Sequence, residues 1–381
     1  MLMADYQRRS VMHRYIRPGK GWFISCLAAG LLLVQSVAHT AGEVGEKTRW
    51  ITDMTGRQVQ VAAPLTRVAL FGGPTGQVVY ILGARSQVCA VTSSFKGSEL
   101  VNAFDPTVKN LPAPRSTSGH INVEEMLLAD PQLVIAGTLD GSIVEKKTKI
   151  PVAYTESTMN EDFGSLKREM RFYAAIFQKE ARGEKYIAYL DRTIAFLRSR
   201  IGAIPADKRK KVFNGYSQSH LVTLGGDTFM HERILAAGCV DATAAIATAG
   251  VKEGLHMGLS EMSMEKVLGW DPDILIIDFG KPEDLYEDPK WKNVRAVRNR
   301  QVFKQPIGVF IWDRPTAEAA VLYPLWLAKI AYPEYFRDVE LITEVKRFYH
   351  ECMSFDLSDA QARALLSGSF GIAFNNTSGR R

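Results

Sequence analysis

An apolar stripe at helical spacing lies near the middle of the chain, between Glu180 and Ile201. Its apolar positions recur every three or four residues, which places them on one face of a helix: Ile187, Leu190, Ile194, Leu197 and Ile201. Basic residues lie off this stripe, and Gly202 with Pro205 ends the run. Such a helix would be about 33 Å long at 1.5 Å per residue. The pattern therefore predicts one long helix over 180–201.

Two copies of one motif flank this helix, 141 positions apart. The copies, Val123 to Ile135 and Met264 to Ile276, share a glutamate, a leucine three residues later and an Asp-Pro pair. Each copy predicts a short helix that ends at Asp-Pro, with the aspartate in extended backbone, and then a strand. The strand residues form a continuous apolar run, which favours a parallel strand covered on both faces. The two copies indicate two α/β lobes related by duplication. The alternative is a chance similarity, because helix-Asp-Pro-strand is a common junction.

The pattern as a whole predicts an α/β fold. We expect two Rossmann-like α/β lobes joined by one long rigid α-helix, with a ligand cleft between the lobes. The predicted boundaries are 1–38 for a signal peptide, 42–178 for the N-terminal lobe, 180–202 for the connecting helix, 208–368 for the C-terminal lobe with its C-terminal helices, and 369–381 for a disordered tail.

The N-terminus has the pattern of a secretory signal peptide. Five basic residues precede an uncharged apolar stretch from Trp22 to Val37, and Ser36-Val37-Ala38 provides small residues for cleavage. The stretch is short for a membrane anchor. The residues before Cys26 match a lipoprotein site poorly, and Arg8-Arg9 leaves Sec and Tat export both open. We predict a periplasmic protein.

Charge and cysteine content exclude two other classes. The 381-residue chain has a formal charge of +6, of which residues 1–38 carry +4. The mature chain is therefore close to neutral, and nucleic-acid binding is not indicated. Cys89, Cys239 and Cys352 remain, far apart and odd in number, which predicts buried thiols rather than a disulfide framework.

Several motifs in order along the mature chain carry a resemblance to a known family. They are Ile51–Arg57, Pro131–Ile135, Trp291–Val302, Trp326–Lys329 and Tyr332–Glu334. With the signal peptide, the two lobes and the helix, they resemble the helical-backbone (class III) substrate-binding proteins of ABC importers for iron-siderophore complexes, haem or cobalamin. The resemblance implies a monomeric receptor without catalytic residues or an intrinsic cofactor. It would carry a metal-containing ligand to an inner-membrane permease with its ATPase.

The resemblance also implies where the permease would dock. Members present one glutamate per lobe to permease arginines, seven residues before the proline of the repeated motif. Glu124 and Glu265 occupy these positions. The alternative is that each is a first-turn carboxylate favoured by the helix dipole.

The ligand cleft is expected at the loops that follow the carboxyl ends of the strands. The candidate ligand-binding residues in these loops are Arg115, His120, Tyr216, His220, His256, Trp312 and Arg314. Histidine and tyrosine can ligate iron or nickel, arginine can pair with anionic groups, and tryptophan can stack on a planar ligand. His120 and His256 are the metal candidates. The arginines favour an anionic iron-siderophore complex or haem; cobalamin and a bare or chelated metal such as nickel are the alternatives.

A secreted serine hydrolase is the remaining alternative from another class. Gly215 to Ser219 follows a predicted strand and half resembles the G-x-S-x-G nucleophile elbow. The final glycine is missing, and a strand-like run follows in place of a helix. We therefore predict a receptor that is not an enzyme.

Overall fold

The computed structural model describes residues 47–72, 74–155, 162–250 and 258–371. The predicted signal peptide, His256 and most of the predicted tail lie outside these ranges. The strands are β1 (Thr48–Thr52), β2 (Gln58–Ala62), β3 (Val68–Leu70), β4 (Val88–Ala90), β5 (Leu133–Gly137), β6 (Val152–Thr155), β7 (Lys211–Gly215), β8 (Val222–Leu224), β9 (Val240–Asp241), β10 (Leu259–Glu261), β11 (Ile274–Ile277) and β12 (Val302–Lys304).

The α-helices also lie within the described residues. They are α1 (Val78–Ile81), α2 (Ser93–Lys96), α3 (Glu99–Phe104), α4 (Val123–Leu128), α5 (Thr138–Lys147), α6 (Phe163–Phe177), α7 (Glu180–Ile201), α8 (Phe229–Ala236), α9 (Met264–Trp270), α10 (Pro282–Glu287), α11 (Arg295–Arg298), α12 (Ala317–Ala331), α13 (Leu341–Phe348) and α14 (Asp359–Leu366). In the described part of the chain, no helix combines the length and apolar character that crossing a bilayer requires.

Two parallel sheets form the centres of two α/β lobes. Their strand orders are β4-β3-β5-β6 and β12-β11-β7-β9. Each repeat strand is buried on both faces, as its continuous apolar run predicts: Ile135 and Ile276 face a large core that both lobes share, whereas Val134 and Leu275 face a smaller core on the outside of each sheet. The hairpin β1-β2 packs at the start of the first lobe.

The two motif copies have matching local geometry. Asp130 and Asp271 both adopt left-handed backbone, with φ of 46° and 41°. The prediction of extended backbone at these positions was wrong. Proline disfavours only the right-handed conformation of its predecessor, and aspartate tolerates a left-handed helix end. Two residues later, Gln132 accepts a bond from the Thr66 N–H and Asp273 one from the Lys211 N–H, each at 2.8 Å.

Helix α7 has the bounds that the apolar stripe predicts, and it packs on both lobes. On the first lobe, Arg182 Nε donates to the Ile81 carbonyl oxygen at 2.8 Å, and Gly183 allows close contact with Ala174 of α6. On the second, the Tyr186 hydroxyl donates to the Ala317 carbonyl oxygen at 2.7 Å. Within the stripe, Ile194 is half-buried and the other four residues are buried. Packing on both lobes supports its role as a spacer.

Candidate functional site

The carboxyl edges of the two sheets meet where α2, which follows β4, contacts the loop that follows β12. The rings of Phe95 and Phe310 lie 6.1 Å apart, and Ser98 Oγ donates to the Val309 carbonyl oxygen at 2.9 Å. Since ligands of open α/β sheets bind outside the carboxyl ends of the strands, these contacts form the floor of the candidate cleft.

Glu318 is fully buried beneath this floor. Its carboxylate accepts bonds from the Tyr349 hydroxyl at 2.6 Å and the Val309 N–H at 3.0 Å, while its own N–H donates to Gln77 of the first lobe at 2.9 Å. Burial raises the pKa of Glu318 to about 7, which the Tyr349 and Val309 donors oppose. Sequence reasoning missed Glu318, although an acid within the apolar start of α12 is a visible signal.

Three polar groups lie at the carboxyl edge of the second lobe's sheet. Tyr216 follows β7, Asp278 follows β11, and Asp313 lies in the loop after β12. The Tyr216 hydroxyl and one oxygen of each aspartate are buried without a hydrogen-bond partner among the described residues. Buried polar groups are rarely unpaired, so water or a bound solute is expected at these atoms. The second Asp313 oxygen lies 3.0 Å from Arg314 Nη1.

Burial also alters the acid strength of these groups. It raises the pKa of Asp313 to about 6, with the Arg314 guanidinium opposing and the Asp278 carboxylate adding to the shift. Burial raises the pKa of Asp278, opposed by the Ser217 N–H, and raises that of Tyr216 strongly. Sequence reasoning did not select either aspartate. Asp278 could have been found, because it directly follows four apolar strand residues at the expected edge.

We expect the stability of the protein to fall as pH rises through about 6, in part because of Asp313. Its pKa is raised from 3.8, so this contribution is fully present below pH 3.8 and lost as pH passes 6. At 1.36 kcal/mol per pKa unit, the loss is roughly 2–3 kcal/mol. Urea unfolding between pH 4 and 8 measures this slope. Asp313→Asn should flatten the slope and leave the Glu318 contribution; an unchanged slope would contradict the assignment.

Two of the predicted second-lobe residues are buried against tryptophan rings. Trp312 is fully buried, edge-on to Trp326 with ring centroids 6.4 Å apart, so the predicted stacking face is covered. His220 is buried against Trp291 at 6.1 Å, and burial lowers its pKa. Both were predicted to contact the ligand because they lie in loops after strand ends, but the Trp326 and Trp291 rings pack against them.

The first lobe's side carries Arg115 and His120. Arg115 Nε donates to Asp140 at 2.8 Å, so its charge is already paired. Its carbonyl oxygen accepts from the Ser93 N–H, which places it beside the start of α2. His120 is exposed. Within the described ranges, no three His, Cys, Asp or Glu side chains are grouped to hold a metal ion. His120 and His220 therefore belong to no such group, and His256 lies outside the described residues.

Each lobe also presents an apolar side chain directly after its repeat strand. Leu139 follows β5 and Phe279 follows β11, and both are exposed. Their positions at the carboxyl edges place them at the rims of the cleft. A cavity of about 510 Å³ between β1 and α6 lies away from these edges.

The two candidate docking glutamates occupy equivalent, exposed sites. Glu124 and Glu265 lie in the first turns of α4 and α9, whose N-caps are Asn122 and Ser263. The backbone N–H of Glu265 and the Ser263 hydroxyl lower the pKa of Glu265. Both carboxylates are therefore available to a partner.

Residues 215–219 do not have the geometry of the nucleophile elbow of a serine hydrolase. The Ser217 hydroxyl pairs with that of Ser219 at 3.1 Å, and the chain continues into β8 rather than a helix. A nucleophile elbow instead leads from a strand into a helix, with the serine beside a histidine.

The three cysteines of the described residues are free, and two of them are buried as predicted. Cys239 and Cys352 are buried and Cys89 is half-buried. Burial raises the pKa of Cys89 to about 11 and those of Cys239 and Cys352 to about 12, so none is a reactive thiolate at neutral pH.

Residues 68–306 match the family described as periplasmic binding protein. The chain therefore belongs to the periplasmic binding protein family. It is an extracytoplasmic solute-binding protein of an ABC transporter, a class whose members serve transport rather than catalysis.

Similar proteins agree with this class. The molybdate-binding protein MolA of Haemophilus influenzae is 26% identical over 330 residues, covering 80% of this chain and 90% of that protein. The iron(3+)-hydroxamate-binding protein FhuD of Bacillus subtilis is 24% identical over 236 residues, covering 57% and 71%. A periplasmic solute binding protein of Veillonella parvula has a TM-score of 0.70 at 24% identity, covering 84% and 97%. The family and the fold predicted from the sequence motifs are thus confirmed.

Proposed function

We propose that this protein captures a ferric chelate of the siderophore type between its two lobes and delivers it to an inner-membrane permease with its ATPase. The observation that carries the proposal is the group of unpaired polar atoms on Tyr216, Asp278 and Asp313 at the carboxyl edge of the second sheet. A bound solute would satisfy these atoms. The predicted signal peptide would bring the protein to the periplasm.

The chemistry of Tyr216, Asp278 and Asp313 favours a chelate over a bare ion or a simple oxyanion. Two acids with free oxygens accept hydrogen bonds from amide or hydroxyl donors, whereas they would repel a free dianion once ionised. Arg314 can pair with an anionic oxygen of the same ligand. The exposed Leu139 and Phe279 can contact the organic part of a chelate. The relative named for iron(3+)-hydroxamate binding agrees with this chemistry.

Haem, cobalamin and a bare metal receive less support. Trp312, which was predicted to stack on a planar ligand, is buried. A bare metal such as nickel needs three or four converging ligands, and the described residues supply no such group.

Molybdate is the second candidate, because the molybdate-binding relative aligns over 80% of the chain. Arg115 and Arg314 are the groups that would hold the oxyanion. This reading requires that Asp278 or Asp313 remain protonated and donate to it, which the raised pKa of each acid favours.

Titration calorimetry of the purified protein with ferric desferrioxamine B, ferric citrate, haem, cobalamin, nickel chloride and sodium molybdate tests the proposal. We expect binding of a ferric chelate. Tyr216→Phe should weaken it about tenfold, since one lost hydrogen bond to a polar ligand is worth about 1.4 kcal/mol. Tyr286→Phe, on the outer helix α10, is the matched control and should change nothing. Binding of molybdate alone would show that the ligand is the oxyanion and not the ferric chelate. No binding of any probe would contradict both candidates.

A further inference from the structure

Two short helices expose leucine at equivalent positions. Leu127 of α4 is 51% exposed and Leu268 of α9 is 36% exposed; Leu128, next to the first, is 86% exposed. Leu127 and Leu268 are related by the same 141-residue offset as the rest of the repeat. Exposure of a large apolar side chain at one site is ordinary, but its recurrence at the matched site of a second lobe indicates a shared use.

The helices that carry these leucines are firmly held. Met126 and Val267 on their inner faces are fully buried in the outer cores. The Asn122 side chain accepts from the Glu125 N–H at 3.1 Å, and the Ser263 hydroxyl caps α9 in the same way. The leucines therefore point outward because the opposite face is packed, not because the helices are loose.

Each leucine lies one helical turn from a candidate docking glutamate. Glu124 and Leu127, like Glu265 and Leu268, are three residues apart and so share a helix face. Each helix runs antiparallel to the strand that follows it, so its first turn lies toward the carboxyl edge of the sheet. Each surface thus combines a carboxylate with an apolar residue, on the side of the lobe where the cleft opens.

We propose that Leu127 and Leu268, together with Leu128, form two apolar docking contacts on the permease, one from each lobe. This inference rests on the proposed function. The complementary partner surface is a cation beside an apolar hollow. Because the same pair of groups occurs twice, the partner should present this surface twice, as two equivalent transmembrane subunits do.

The test measures binding of the full-length mature protein, without added ligand, to the permease–ATPase complex in nanodiscs by biolayer interferometry. Leu127→Ser/Leu268→Ser should weaken binding at least tenfold. Leu235→Ser is the matched control, because Leu235 of α8 is 49% exposed but lies outside the repeat; it should change binding less than twofold. Thermal unfolding of all variants checks that the fold is retained.

If these surfaces bind a partner other than the permease, the experiments would give different results. Unchanged binding of the leucine variant, while Glu124→Arg/Glu265→Arg abolishes binding, would overturn the apolar contact and leave docking intact. Unchanged binding of both variants would overturn docking itself. A dimer in gel filtration that the leucine variant converts to a monomer would assign the surfaces to a second copy of this chain. Sedimentation with liposomes that lack the permease, lost in the leucine variant, would assign them to the bilayer.

Discussion

Replacement of Glu318 by alanine is expected to lower the free energy of unfolding by roughly 3–5 kcal/mol. The carboxylate is fully buried and accepts bonds from the Tyr349 hydroxyl and the Val309 N–H. Alanine would leave both donors buried without an acceptor and would open a cavity. A β-carbon on Gly308 would lie 1.7 Å from a Glu318 oxygen, so the surrounding chain is fitted closely to this side chain.

Urea unfolding at pH 7 measures this loss. Glu318→Gln is the matched control, because it retains the volume and one acceptor, and it should cost less than half as much. Tyr349→Phe, which removes a single donor, should cost about 1 kcal/mol. A loss below 1 kcal/mol for the alanine variant would contradict the view that Glu318 holds the floor of the cleft together.

Charge reversal at both docking glutamates, Glu124→Arg/Glu265→Arg, is expected to lower uptake at least about a hundredfold without changing ligand affinity. Arginines on the variant would face the permease arginines that the family resemblance implies. Like charges that face each other across an interface cost several kcal/mol, and 2.7 kcal/mol is about a hundredfold. Uptake of radiolabelled iron as ferric desferrioxamine B into cells measures the first quantity, and calorimetry with the same chelate measures the second.

The control for this experiment is Glu283→Arg. Glu283 is also exposed and lies in the first turn of a helix, α10, but it is outside the repeat. It separates docking from the general helix-dipole role of a first-turn acid. Normal uptake by the double variant would show that these glutamates do not dock the permease, and equal losses in both variants would point to a general effect of charge.

The sequence predicts the fold well because its evidence is local or repeated. The spacing of apolar residues along α7 gives both ends of the helix, since the stripe and Gly202 are properties of neighbouring residues. The repeat predicts two sheets with one equivalent strand each, and β5 and β11 lie at those places. Left-handed Asp130 and Asp271 were missed, because two conformations of that residue end a helix and the sequence does not distinguish them.

The candidate site was predicted less well. The rule that ligand-binding loops follow the carboxyl ends of strands predicts which loops lie at that edge. Tyr216 and Arg314 do lie at the carboxyl edge of the second sheet. The rule does not tell what surrounds the side chains of these loops: Trp312 and His220 pack against tryptophan rings, whereas Asp278 and Asp313 each have a buried oxygen without a partner among the described residues. Arg115 lies at the edge but is paired with Asp140, which is 25 residues away.

The sequence by itself thus determined two related α/β lobes, the helix between them and the family to which they belong. Only the tertiary structure decided which polar groups are buried away from solvent without gaining a hydrogen-bond partner. Whether a group such as Glu318 or Asp313 is paired, free or partly protonated depends on neighbours that are distant in the chain, such as Gln77 for Glu318. Periodicity records where a side chain lies on its own helix or strand; burial and charge are set by what the other lobe brings against it.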